Sequence, residues 1–218
     1  MTTQTQLKDQ LQTGDILLFH HIPNYRSCYN CFFSIFTGLI QKCTKSKYSH
    51  AAIVVRDPDF DGFHQKGLFV LESSFEAFPD AIDHKYKLGV ELESFDKVMK
   101  DAVKSGTVYC RKLHCERNSN FFETFAAAQR TIKDKPYDCL PNDWVAALQH
   151  HTTGKDAQTT KHFWCSALVA YLYVQWGFLP YTVPWSYITP KQLGTEPSRY
   201  QLQYQNCKVD TEVELDVS

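Results

Sequence analysis

The sequence lacks an excess of charge of either sign, because 23 Lys and Arg residues stand against 24 Asp and Glu residues in a chain of 218. A chain so balanced has no general attraction to nucleic acid or to an anionic membrane surface. It also lacks a long hydrophobic run, since the longest apolar stretch, residues 31–40, is too short to span a bilayer. These absences argue against a nucleic-acid partner and against a transmembrane segment.

The amino-terminal residues carry no targeting signal. Residues 1–6 are polar and contain neither the basic nor the apolar region of a secretory signal peptide. Position 2 is Thr2, whereas N-myristoylation requires glycine there. We therefore expect a cytoplasmic protein, in which the eight cysteines are reduced thiols rather than a disulfide framework.

Internal repeats and low-complexity linkers are also lacking. The composition, 43% hydrophobic and 22% charged, is that of an ordinary globular protein. A chain of this length can bury a sizeable core as one unit. We therefore expect residues 1–218 to form a single domain.

The cysteine spacing offers one candidate metal site, and it is weak. Cys28 and Cys31 form a CxxC pair that Cys43 could join as a third zinc ligand. The sequence has no second CxxC, so Cys110 or Cys115 would have to complete the site. The pair also follows no βαβ pattern, as a thioredoxin-like motif would. We expect no metal and no cofactor.

Residues 163–177 predict a helix with Cys165 in its first turn. Apolar residues recur at helical spacing and so predict one apolar face: Cys165, Leu168, Val169, Leu172, Tyr173 and Trp176. Gly177 is well placed to end the helix. No Ser, Thr, Asp or Asn directly precedes Cys165, so the first backbone N–H groups are free to hold an oxyanion. The helix dipole favours a thiolate there, although a buried structural cysteine is the alternative.

Two predicted strands bring a histidine and a carboxylate near each other. Residues 47–56 and 67–74 are apolar runs joined by about a dozen residues, so we expect antiparallel pairing. His50 begins one strand and Glu72 ends the other, and a register that pairs them would place both on one face. Taken singly, His50 could be a core histidine and Glu72 could cap a turn.

The flanking segments are less informative. His20 and His21 follow an apolar strand at residues 16–19 and are interpreted as a surface loop, although one could line a site. Residues 201–209 predict a last strand, and residues 210–218 an acidic tail. The sequence does not indicate an oligomeric state.

The three residues together suit nucleophilic catalysis. A cysteine nucleophile needs a base that removes its proton and a third group that orients the base. A helix whose N-terminus packs over the sheet edge would bring Cys165 to His50, and the carboxylate of Glu72 would favour the imidazolium. We interpret Cys165, His50 and Glu72 as a candidate triad.

Several short segments support this interpretation by resemblance to a known family. The permuted papain-like enzymes, the YiiX/YaeF-type cysteine amidases and peptidases of the NlpC superfamily with poxvirus relatives, resemble this chain in five segments: residues 11–19, 48–54, 70–73, 137–138 and 163–169. In that family the histidine and the acid precede the cysteine, as His50 and Glu72 precede Cys165 here. The resemblance spans about residues 11–195 and implies Cys165 as nucleophile, His50 as general base and Glu72 as orienting acid.

The resemblance also implies a fold and a function. We expect an α+β protein, with an antiparallel, partly barrel-like sheet packed on helices in a circularly permuted papain-like (NlpC-type) arrangement. The expected activity is hydrolysis of a peptide-like or isopeptide amide through a thioester acyl-enzyme. A lipid ester or amide is the second candidate substrate, with acyl transfer as a possible outcome, and a non-enzymatic binding module is the competing class. The aromatic insertion at residues 20–47 and the polar loop before Cys165 are individual to this chain, so we expect family substrate preferences to transfer poorly.

Overall fold

The computed structural model describes residues 8–22, 38, 41–42, 45–74, 79–137, 158–198 and 200–215. The helices there are α1 (Phe95–Ser105), α2 (Ser119–Ile132), α3 (Cys165–Gln175), a 3₁₀ helix (Trp185–Tyr187) and α4 (Pro190–Leu193). The strands are β1 (Ile16–His21), β2 (His50–Arg56), β3 (Asp59–Phe60), β4 (Phe63–His64), β5 (Leu68–Ser74), β6 (Gly89–Ser94), β7 (Gly106–Arg111), β8 (Leu113–His114), β9 (Lys208–Val209) and β10 (Val213–Glu214).

Six strands form the main sheet in the order β10-β7-β1-β2-β5-β6, and each neighbouring pair is antiparallel. The strands β3 and β4 make a separate hairpin, and β8 and β9 make a second two-stranded ribbon. Helices pack against the main sheet. The expectation of an antiparallel sheet packed on helices is therefore confirmed.

Side-chain alternation along the strands gives the sheet two apolar faces. On β2, Ala51, Ile53 and Val55 join the core that contains α3 and α2, whereas Ala52 and Val54 join the core that contains α1. Both faces of the central strands are therefore covered, which explains why these strands are continuous apolar runs.

Helix α3 is buried on every side, so the prediction of a single apolar face is wrong. All residues from Cys165 to Val174 are buried, including Ser166 and Ala167. The helix lies between β2 and β5 on one side and α2, the 3₁₀ helix and α4 on others. A helix with such cover has no solvent face. The predicted end is confirmed, since α3 stops at Gln175 and Gly177 adopts a left-handed φ of 71°.

Hydrogen bonds tie α3 to distant parts of the chain. The Tyr173 hydroxyl donates to the Gly14 carbonyl at 2.7 Å, and the Ser166 hydroxyl donates to the Ile188 carbonyl at 2.6 Å. Just before the helix, the Ser73 hydroxyl on β5 donates to the Phe163 carbonyl at 2.7 Å. These bonds satisfy buried polar groups and fix where the helix begins relative to the sheet.

Two interpretations of the flanking segments are wrong. His20 and His21 lie in β1 rather than in a loop, because their backbones pair with Thr107 and Gly106 of β7. The predicted last strand at residues 201–209 shrinks to Lys208–Val209. Part of the predicted acidic tail instead forms β10, which adds an edge strand to β7. Within the described part of the chain, no helix combines the length and apolar character needed to cross a membrane.

Candidate active site

The strands β2 and β5 carry His50 and Glu72, and the register between them differs from the prediction. Ile53 pairs with Leu71 and Arg56 with Leu68. Continued by one residue, this register sets Glu72 opposite Ala52, two positions from His50. The predicted direct pairing of His50 with Glu72 is therefore wrong. A shift of two residues leaves both side chains on the same face, because the side-chain period of a strand is two.

His50 and Glu72 are in direct contact in this diagonal arrangement. The His50 Nε2 and a Glu72 carboxylate oxygen form a buried ion pair, with the Glu72 side chain 3% exposed and that of His50 15% exposed. A buried carboxylate requires such a partner, because an uncompensated charge is costly in the interior. The contact occupies Nε2 and leaves Nδ1 as the ring nitrogen that faces other groups.

Cys165 reaches His50 where the pairing of β2 with β5 stops. The paired residues of β2 and β5 end at Ile53–Leu71, and beyond that pair the Ala51 N–H is close enough to the Cys165 sulfur to favour its thiolate. The Ser166 N–H and the His50 ring are also close enough to favour the thiolate. The N-cap residue Trp164 makes no side-chain capping bond to the first turn of α3.

Charge decides the protonation of this buried thiol and imidazole. Burial opposes the Cys165 thiolate, but the positive charge and hydrogen bond of His50 prevail, with the two backbone donors, and lower the pKa of Cys165. Burial likewise opposes the His50 imidazolium, but the negative charges of Cys165 and Glu72 prevail and raise the pKa of His50 well above its ordinary value. The thiolate exists above the lowered cysteine pKa and the imidazolium below the raised histidine pKa. The pair is therefore ionised between the lowered pKa of Cys165 and the raised pKa of His50.

His21 is a neighbour of the site that the sequence interpretation placed in a loop. Its Nδ1 lies 2.9 Å from the Ser49 hydroxyl, which itself donates to the Phe19 carbonyl, so the His21 ring is the donor. Burial and the nearby charges of His50 and His20 lower the pKa of His21 to about 3, so its ring is neutral. The His21 ring stacks on Phe19, whose ring meets the His50 ring edge-on at a centroid distance of 5.2 Å. The alternation Leu17, Phe19, His21 would have predicted this placement.

Two further buried carboxylates on β6 were also missed. Glu91 lies directly opposite Glu72, and the Ser74 hydroxyl donates to Glu91 Oε1 at 2.8 Å. Glu93 lies two residues further along the same face of β6, opposite Val70. The alternation of Glu91 and Glu93 within β6 is the signal that could have placed them beside Glu72.

The other residues considered from the sequence fall into two groups. Tyr48 and Tyr137, the first residues of two segments that carry the resemblance, are buried. Cys28, Cys31 and Cys43, the candidate zinc ligands, lie outside the described residues. Among the residues that the structure does describe, no group of three or more His, Cys, Asp and Glu side chains is placed to hold a metal ion.

Comparison with solved structures finds a chain with a similar fold. No protein-family model matches the sequence, and no curated protein matches it. The crystal structure of metalloprotein YiiX from Escherichia coli O157:H7 is similar to this chain with 20% sequence identity and a TM-score of 0.45. The similarity covers 75% of this chain and 65% of the YiiX chain. At this identity and TM-score it assigns no function, so the site itself must support any proposal.

Proposed function

We propose that this protein is a cysteine-dependent hydrolase that cleaves an amide or ester through a thioester acyl-enzyme. In this proposal Cys165 is the nucleophile, His50 the general base and Glu72 the acid that orients it. The single observation that supports it best is the continuous contact from the Cys165 sulfur through the His50 ring to the Glu72 carboxylate. A nucleophile, its base and an orienting group in contact are what this chemistry requires.

Acylation uses the ionised pair directly. The thiolate of Cys165 attacks the substrate carbonyl carbon, so that a C–S bond forms and the carbonyl π electrons move to oxygen. The imidazolium of His50 then donates its proton to the leaving nitrogen or oxygen, and the bond to the leaving group breaks. The product is a thioester on Cys165 and a neutral amine or alcohol.

The oxyanion of the intermediate needs donors that are already in place. The backbone N–H groups in the first turn of α3 are not capped by the Trp164 side chain, and they lie at the positive end of the helix dipole. In this proposal they stabilise the oxyanion, which is the role such donors have in acyl transfer.

In deacylation, water is the nucleophile and the Cys165 sulfur is the leaving group. Neutral His50 removes a proton from water, the resulting hydroxide attacks the thioester carbonyl, and the C–S bond breaks to release the acid and restore the thiolate. In this proposal Glu72 holds the Nε2–H of His50, which keeps the Nδ1 of that ring directed at the sulfur. No step requires a metal or an organic cofactor.

The test measures turnover and the covalent intermediate together. Wild type, Cys165→Ala and the matched control Cys110→Ala are assayed with activated esters, aminoacyl amides, isopeptides and acyl lipids, and each mixture is quenched for intact-mass analysis. We expect an acyl adduct on Cys165 in wild type and Cys110→Ala and none in Cys165→Ala. The part of the panel that gives the adduct identifies the substrate class. Absence of any Cys165 adduct across the panel, with the thiol intact, would favour a binding module on this fold.

A further inference from the structure

The ribbon of β8 and β9 places two cysteines outside the site opposite each other. Leu113 pairs with Val209, and His114 pairs with Lys208. Continued by one residue, the same register sets Cys115 opposite Cys207. Both thiols are free and partly exposed, so small reagents can reach them.

The two cysteine side chains project from the same side of the ribbon. Leu113 and Val209 pack against the main core, and Cys115 and Cys207, each two residues away along its own segment, pack against it too. His114 and Lys208, which lie between them, are exposed. This alternation is what a continued ribbon requires, and it places both cysteine side chains on the same face of the ribbon rather than on opposite faces.

The hydrogen-bond pattern sets the distance between the two backbones. The Asp210 N–H donates to the Lys112 carbonyl at 3.0 Å, so Lys112 and Asp210 are a hydrogen-bonded pair. Pair types alternate along an antiparallel ribbon, which makes Cys115 and Cys207 a non-hydrogen-bonded pair. In such pairs the Cα atoms are about 4.5 Å apart, within the range of about 4.4–6.8 Å found for disulfides.

We propose that Cys115 and Cys207 are a modification site that closes to a reversible cross-strand disulfide in the presence of a peroxide. Cys115 is close enough to Cys207 to add to burial in raising the pKa of Cys207 to about 11, and burial also raises the pKa of Cys115. The reaction with a peroxide is therefore slow at neutral pH and faster at alkaline pH, where the thiolate is more abundant. The disulfide would join the segment leading into α2 to the segment that follows Asn206. Because Asn206 Nδ2 donates to the Gly177 carbonyl just beyond α3, the disulfide fastens the chain around the C-terminal end of that helix.

The reaction with hydrogen peroxide balances in two steps. The thiolate of one cysteine attacks a peroxide oxygen, the O–O bond breaks, and after protonation the products are a sulfenic acid and one water. The thiolate of the second cysteine attacks that sulfenic sulfur, the S–S bond forms, the S–O bond breaks, and a second water leaves. The two thiols are oxidised by two electrons in total, and the peroxide is reduced. A reducing thiol reverses the modification.

The disulfide is separate from the proposed catalytic cysteine. Cys165 lies in the first turn of α3, whereas the segment with Cys207 contacts the far end, about 16 Å away for a helix of 11 residues. The proposal therefore does not depend on the proposed function. It can be tested in Cys165→Ala, in which no reactive nucleophile consumes the oxidant.

Peptide mapping gives a direct test, because tryptic cleavage puts each cysteine in its own short peptide, residues 113–117 and residues 200–208. Reduced Cys165→Ala protein is treated with hydrogen peroxide under native conditions. It is then denatured in the presence of a maleimide, which labels the remaining free thiols, and digested without reductant. We expect the two peptides as one linked species that lacks two hydrogen atoms and separates on reduction. Adding Cys110→Ala should leave the linked species unchanged, whereas adding Cys115→Ser should remove it and leave Cys207 carrying the maleimide.

Stability provides a second measurement. The oxidised protein should unfold at a higher denaturant concentration than the reduced protein, and Cys115→Ser should abolish that difference, because the link closes a long loop in the unfolded chain. Circular dichroism before digestion verifies that the oxidised protein is folded. The proposal is wrong if the folded, peroxide-treated protein yields both peptides carrying the maleimide. It is also wrong if either peptide is linked to a different cysteine.

Discussion

Cys165 and Cys110 are buried to the same degree and yet have thiols of opposite character. Their exposed fractions are 3% and 2%. Burial and the charge of Asp15 raise the pKa of Cys110 on β7 to about 12. Burial acts on Cys165 in the same direction, but the His50 ring and two backbone N–H groups reverse the outcome and lower its pKa. Burial therefore raises the pKa of both thiols, and the positively charged His50 with the backbone N–H donors reverses the direction for Cys165.

Removing the Cys165 sulfur should have the largest effect. Cys165→Ala should lower turnover by at least about 10⁴-fold, because the nucleophile has no substitute. The Cys165→Ala variant should keep the native fold, which circular dichroism and denaturant unfolding will verify. Turnover equal to that of wild type would show that the two buried thiols do not differ in function.

Removing the carboxylate charge of the site should have a smaller effect on turnover. Glu72→Gln should retain about a hundredfold more activity than Cys165→Ala, since orienting acids contribute less than nucleophiles. Loss of that negative charge lowers the pKa of His50, so the imidazolium is lost at a lower pH as pH rises. The alkaline limb of the kcat/KM profile should therefore move to lower pH, while the acid limb, set by Cys165, changes less. An unchanged alkaline limb would show that Glu72 has only a structural role.

Alkylation tests the ionised pair without a substrate. At about pH 6 an unperturbed thiol with a pKa of about 8.5 is almost fully protonated, so Cys165 should react with iodoacetamide before the other seven cysteines. His50→Ala should slow labelling of Cys165 by at least about tenfold, because burial then raises its pKa and only the backbone N–H groups of Ala51 and Ser166 and the helix dipole oppose it. Peptide mapping over a time course measures each cysteine separately. Labelling of Cys165 no faster than Cys207, in both proteins, would contradict the ion pair.

Replacing Cys110 should have the smallest effect. Cys110→Ala should leave kcat/KM unchanged and lower the free energy of unfolding by about 1 kcal/mol, because only a small buried group is removed from the core. Activity assays and denaturant unfolding on the same preparation measure both. A loss of activity larger than the loss of folded protein would show that β7 influences the site.

The sequence predicts the neighbourhood of the site because its signals are local. The apolar runs that contain His50 and Glu72 predict two strands joined by a short connection, and their antiparallel pairing is confirmed. The spacing around Cys165 and the position of Gly177 predict the helix and its end. These features depend on neighbouring residues only, which is why one sequence is enough to predict them.

The features that the sequence missed depend on distant segments. The β3–β4 hairpin lies in the connection between β2 and β5, and across this connection the register places His50 and Glu72 two residues apart rather than opposite each other. The burial of α3 on all sides requires α2 and α4, whose positions no local pattern fixes. His21 joins β1 only because β7 pairs with it. Tertiary contacts of this kind override the local sequence pattern that indicated a loop at His20 and His21.

The helix α3 is bound to parts of the chain that are synthesised long before it. Tyr173 bonds to Gly14 across 159 positions, and Phe163 bonds to Ser73 across 90 positions. At a synthesis rate of about 5–20 residues per second, β5 leaves the ribosome several seconds or more before α3. During that interval His50 and Glu72 have no sulfur beside them, and after it Cys165 remains an ordinary thiol until the helix docks. The nascent chain therefore holds no Cys165–His50 pair until α3 docks on the sheet.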